Sequence, residues 1–178
     1  AVGAYRTAAT AAATAGNVSM QVLLLEYAAQ AYTAAGRYGE AATVFDEILA
    51  IAQNPGYRAQ IAYNAGGSHA AAGDEAAAIE RWQSAAAEGP TLSWGYLALV
   101  ELVNREVPFD MYQRGYIDLM YGAWLPAVNA YQQFLATADP ATETRYAAAV
   151  QELGQAFLGA GDTANAIAQF DRVINEFS

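Results

Sequence analysis

The chain contains one histidine, His69, and a catalytic role for it requires an activated nucleophile beside it. Cysteine is absent, so only a serine hydroxyl such as Ser68 or Ser84 could serve, and neither stands in the strand–turn–helix setting of a nucleophile elbow. No triad follows and no catalytic residue is assigned; His69 reads as a core or groove-lining imidazole with a hydrogen-bond partner. Carboxylates are more frequent: Asp46-Glu47, Asp74-Glu75, Glu101, Glu106, Asp110 and Asp118. Two of them could flank a glycosidic bond. Solvated helix faces, and first-turn placement beside the positive end of a helix for Asp74-Glu75 and Asp162, account for them more simply. Gly66-Gly67 lacks the Lys-Ser/Thr that completes a phosphate loop, and metal-ligand spacing is missing, so no metal and no cofactor is expected.

Composition points to the elements that position these residues. Alanine fills 44 of 178 positions and proline only 5, which favours helix throughout and an all-α fold. No apolar run approaches the roughly 18 residues of a membrane span. The net charge is −10 and all eight basic residues are arginine, which argues against nucleic acid or an anionic membrane as partner.

Glycines punctuate the helical pattern at a fixed register. Gly36, Tyr38, Ala41 and Phe45 define a template of glycine, alanine five residues on, and an aromatic four after that. Gly73, Ala78 and Trp82 repeat it, as do Gly122, Ala127 and Tyr131, and Gly161, Ala166 and Phe170. Each glycine suits the positive φ that ends one helix. Each alanine lets the next helix approach closely, and each aromatic fills the space one turn later. Pro55, Pro90 and Pro140 fall where proline stops the second helix.

These residues resemble the tetratricopeptide repeat family, most fully over Ala31-Tyr32, Gly36 to Ala41 and Phe45, then Gly66, Gly73, Ala78-Ile79, Trp82 and Pro90. The resemblance implies helix pairs stacked into a right-handed superhelical solenoid whose concave face holds peptides or proteins. It divides the chain into a half repeat over 1–20, repeats over 22–55, 58–90, 108–140 and 142–178, and an extra helix over 91–107 between repeats two and three. The turn glycines lie 37, 49 and 39 residues apart, against a usual period of about 34, and the extra helix accounts for the longest step. The resemblance also places Phe109, Tyr112, Tyr116, Leu119 and Met120 along a groove, where aromatics would stack on a peptide or a glycan. Packing of the same stripe against the extra helix is the competing reading. Counterparts in the other repeats are Leu23, Glu26, Gln30 and Thr33; Gln60, Tyr63, Gly67 and Ala70; and Gln151, Gln155 and Leu158.

Three functions stay open. The first is a non-enzymatic scaffold for protein–protein interaction that self-assembles head to tail into an oligomer or filament. Ala1-Val2 and Tyr5 at one end and Phe170, Val173, Ile174 and Phe177 at the other read as apolar helix faces without polar caps, open to further copies of the chain. The second rests on Tyr96 to Val103, Val107-Pro108-Phe109 and Tyr121 to Ala127. This segment resembles the non-catalytic helical region of bacterial lytic transglycosylase-like proteins, without the Glu-Ser motif of their catalytic domain. The third is a cytoplasmic adaptor that recruits basic or apolar peptides. Asn17-Val18-Ser19 is a glycosylation sequon, and Thr7, Thr10 and Thr14 precede it among alanines, as an O-glycosylated stretch or as an ordinary Ala/Thr helix. The sequon, the missing lysine and cysteine and the absent initiator methionine favour an extracytoplasmic or extracellular location.

Overall fold

The computed structural model describes residues 2–177, all of whose regular elements are helices. Ala1 and Ser178, the outer limits of the expected half repeat and of the last repeat, lie outside the described residues. In chain order the helices are α1 (Val2–Thr14), α2 (Val18–Ala34), α3 (Tyr38–Ile51), α4 (Pro55–Ala71) and α5 (Glu75–Glu88), then α6 (Ser93–Asn104), α7 (Met111–Tyr121), α8 (Trp124–Thr137), α9 (Tyr146–Gly159) and α10 (Thr163–Glu176). No described helix is long and apolar enough to cross a membrane.

The glycine turns explain the alternation. Gly36 has φ 70°, donates to the Thr33 carbonyl at 3.0 Å, and is followed by Arg37 donating to Tyr32 at 2.9 Å. This doubly bonded stop satisfies two helix-end carbonyls and needs the left-handed backbone that glycine adopts without strain. Gly73, Gly122 and Gly161 carry the same pair of bonds. Gly16 carries them too, so α1 joins α2 through a fifth turn of the same kind. Polar side chains straight after three of these turns start the next helix: Asn17, Asp74 and Asp162 each accept from a backbone N–H three residues on. Pro55 begins α4 as its first residue, where its missing N–H costs nothing.

Close approach within each pair has a second glycine. Seven residues before the turn stand Gly66, Gly115 and Gly154, and a Cβ there would meet the rings of Trp82, Tyr131 and Phe170 at 2.6–2.8 Å. In the first pair Ala29 takes this position and shares a buried cluster with Phe45. Ala41, Ala78, Ala127 and Ala166 are buried against the facing helix.

Three cores follow along the stack. Leu25, Phe45, Ile48 and Ile61 belong to the first, Trp82, Leu99, Leu102 and Ile117 to the second, and Leu119, Tyr131, Phe134 and Leu153 to the third. Helix α6, within the 91–107 segment, lies against both α4 and α5, with Trp94 beside Tyr63 at 5.6 Å between ring centroids. Its start is pressed onto the turn before it, because a Cβ on Gly95 would overlap the Gly89 carbonyl. Contact between α6 and α7 is sparser than between any other consecutive helices.

Candidate functional site

A hollow of about 510 Å³ is lined by residues of α2, α3, α4, α5 and α6, with α4 packed against α3, α5 and α6. Small residues leave the space: Thr33 and Ala34 on α2, Gly67 and Ser68 on α4. Aromatic side chains from three helices enclose it, Tyr38 and Phe45 from α3, Tyr63 from α4 and Trp82 from α5. Gln30, Asn64 and Ser68 supply hydrogen-bonding groups, and Glu101 of α6 supplies its charged wall. An apolar cleft with a few convergent polar groups suits a side chain flanked by peptide backbone.

Neighbouring contacts hold this wall in place. Trp82 is 2% exposed, with its indole against Gly66 and the Arg105 guanidinium 4.2 Å from its ring centroid. The indole Nε1–H is buried without an acceptor. Arg105 is anchored in turn by Glu101 at 2.6 Å and Glu75. Burial, with the Glu101 carboxylate adding to it, pushes the Tyr63 phenol up, so it stays a hydroxyl donor. At the base, Arg58 ties α3, α4 and α5 together: it donates to Glu88 through two nitrogens and to the carbonyls of Leu49 and Ala52. His69 is half-buried at the end of α4, where its Nε2 meets Asp46 at 3.1 Å. Asp46 also accepts from Arg81 at 2.6 Å. Burial works to raise the Asp46 carboxyl, but the Arg81 and His69 partners outweigh it and hold the group below its ordinary value.

The expected aromatic stripe of the third repeat is divided. Phe109 stands ahead of the Asp110 cap of α7, off the helix, and packs against the core of α4 to α6. Leu119 is 4% exposed in the core of α7 to α9. Tyr112 sits edge-on to Tyr131 and beside Phe134, at 5.9 Å and 5.4 Å between ring centroids. Burial and the Glu152 carboxylate push its phenol up to about 12. The open edges of Tyr112 and Tyr116 line a separate hollow of about 450 Å³ with Asp110 and Arg145. Met120 is exposed beside Trp124 and Leu158, over a third hollow of about 400 Å³. Packing against α8 and α9 takes one side of Tyr112 and all of Leu119, while Tyr116 and Met120 remain at the two surface hollows.

Of the counterpart positions, Gln30, Thr33, Tyr63 and Gly67 meet in the 510 Å³ hollow, and Gln155 and Leu158 reach the one beside Met120. The α3, α5 and α6 contributors Phe45, Trp82 and Glu101 belong to the same hollow, although the repeat pattern alone marks Phe45 and Trp82 as packing residues. Asp118, expected on a solvated face with the other carboxylates, is buried where α7 faces α6. The sequon residue Asn17 is exposed, and its side chain caps α2 through the Met20 N–H. Thr7, Thr10 and Thr14 are exposed, each donating its hydroxyl to the carbonyl four residues back.

No protein-family model matches the sequence. No curated protein matches it either. Among solved structures, one described as the crystal structure of MamA protein is similar over 97% of this chain and 90% of that one, at 17% sequence identity and a TM-score of 0.38.

Proposed function

We propose that the chain is a non-enzymatic, tetratricopeptide-repeat-like scaffold that binds a segment of another protein in the hollow framed by α2, α4 and α6. The observation that carries this reading is the hollow itself: about 510 Å³, walled by Phe45, Tyr63 and Trp82, with Gln30, Asn64 and Ser68 placed to meet a peptide backbone. The occupant is an extended segment with an apolar side chain, and the net charge of −10 favours basic over acidic sequences. Titration calorimetry against immobilised-library hits made as free peptides tests it. Binding lost on Gly67→Arg, which fills the hollow from a position with open space around it, supports the site. Equal binding by that variant overturns the site, and no binding by any basic or apolar peptide overturns the function.

Head-to-tail self-association is a second reading, favoured by Ile167, which is 54% exposed on α10. Ile174 on the same helix is 64% exposed, whereas Phe170, which covers Gly154, and Phe177, which caps α10 and lies 6.0 Å from Tyr146 between ring centroids, give it less support. Light scattering across a hundredfold range of concentration checks it; a monomer throughout removes it.

A further inference from the structure

We propose that the junction of α6 and α7 is an acid-tightened hinge, which closes over a protonated Asp118 side chain and opens to hydrate the carboxylate. The joint has the structure of a hinge. Its two helices share the least contact of any consecutive pair, and the link between them turns at Glu106, a non-glycine residue at φ 55°. What closes it is a short set of contacts: the Tyr96 and Tyr121 rings stacked at 3.7 Å between centroids, and Ile117 seated in the core of α4 to α6. Between α6, α7 and α8 a hollow of about 190 Å³ remains, lined by Val100 and Val103 on one side and Pro126 on the other.

Asp118 lines this hollow at 4% exposure. Its Oδ2 has no hydrogen-bond donor, and Nε of Arg114, 3.7 Å away, has no acceptor. A buried carboxylate with an unfilled oxygen favours either protonation or access to water. Burial dominates here and pushes the carboxyl up to about 6, with Arg114 only partly opposing it. The groups facing Asp118 are Arg114 from α7 and Tyr96 from α6, while Pro126 is the contribution of α8 to the hollow. Burial and the Asp118 charge push the Tyr96 phenol up, and a guanidinium keeps its proton, so Asp118 alone titrates between pH 4 and 7.5.

The sign follows from linkage. A carboxyl raised in the closed state and ordinary, near 4, in the open state favours closure increasingly as pH falls from about 6 toward 4. Between pH 7.5 and 4.5 the closing equilibrium rises about 25-fold on those two values. The chain has no cysteine, so Glu80→Cys on α5 and Gln132→Cys on α8, both exposed, give a unique spin-label pair across the joint. Pulsed electron–electron distance distributions on the full chain are expected to narrow between pH 7.5 and 4.5, with an apparent midpoint between about 4 and 6. Asp118→Asn, neutral and nearly isosteric, is expected to stay narrow at both. Arg114→Gln removes the opposing cation and is expected to move the midpoint upward, a readout that stands even if the Asn variant does not fold. A distribution indifferent to pH, a pH response retained in Asp118→Asn, or a midpoint unmoved in Arg114→Gln overturns the proposal.

Discussion

Two neighbouring glycines of α4 respond oppositely to the same substitution. At Gly66 an added Cβ would lie 2.6, 2.7 and 2.9 Å from Nε1, Cδ1 and Cε2 of Trp82. Ordinary carbon contacts are about 3.5–4 Å, so roughly 1 Å of displacement is needed. The indole has little room to give it: Trp82 is buried, and Arg105 lies on its ring. Overpacking costs about 1–3 kcal/mol, and a shift of this size by a buried indole belongs in the upper part of that range, about 2–3 kcal/mol, against about 1 kcal/mol gained by replacing glycine in a helix. Gly66→Ala is therefore expected to lower stability by about 1–2 kcal/mol. At Gly67 nothing lies within 4 Å of the added atom, so only the propensity gain remains and Gly67→Ala is expected to raise stability by about 0.5–1 kcal/mol. Thermal melts followed by helix ellipticity read this as a fall of about 3–6 °C for the first and a rise of about 2 °C for the second. A Gly66→Ala variant as stable as the parent refutes the reasoning, since it would mean the α4–α5 interface can open without cost.

Three further outcomes follow from the same contacts. Gly36→Ala introduces no clash but keeps φ at 70°, so it is expected to lose about 1 kcal/mol in urea unfolding, with Gly36→Asn losing less; equal midpoints for all three remove the backbone argument. Arg58→Lys keeps the charge but cannot reach Glu88, Leu49 and Ala52 together, and a loss of about 1–2 kcal/mol is expected in the same assay; a lysine variant matching the parent shows the fork to be dispensable. The Asp46 carboxyl is depressed in the fold, so its contribution is fully present above the unfolded value near 4 and lost as pH falls through the lower folded value. Asp46→Asn should thus be less stable than the parent at pH 7, with the gap shrinking toward pH 2, and a gap that does not change with pH counts against the pairing of Asp46 with Arg81 and His69.

How far the sequence carries depends on whether a residue's role is local. A turn glycine at positive φ is written into one helix end, and Gly36, Gly73, Gly122 and Gly161 are legible for that reason, Gly73 and Gly161 with a capping aspartate straight after. Gly16 makes the same turn, but Gln21 stands where the template has alanine, so it escapes a search by pattern. The role of Gly66 is visible only against the facing ring of Trp82, seven residues to one side of the turn and nine to the other.

The hollow carries no such local mark, for a reason that applies to any helical stack. Large apolar and aromatic side chains point to Phe109, Tyr112, Tyr116, Leu119 and Met120, and of these Phe109, Tyr112 and Leu119 are committed by their size to packing between helices. Concavity instead arises where facing positions are small, and Thr33, Ala34, Gly67 and Ser68 meet across α2 and α4 without filling the gap that Phe45, Tyr63 and Trp82 surround. Asp118 makes the complementary case. Its spacing from Arg114, four residues along α7, matches an ordinary exposed helix pair, and nothing local distinguishes it from one. Only the placement of α6 over that face removes the water, so the charge that a helix tolerates on its own becomes the group on which the joint turns.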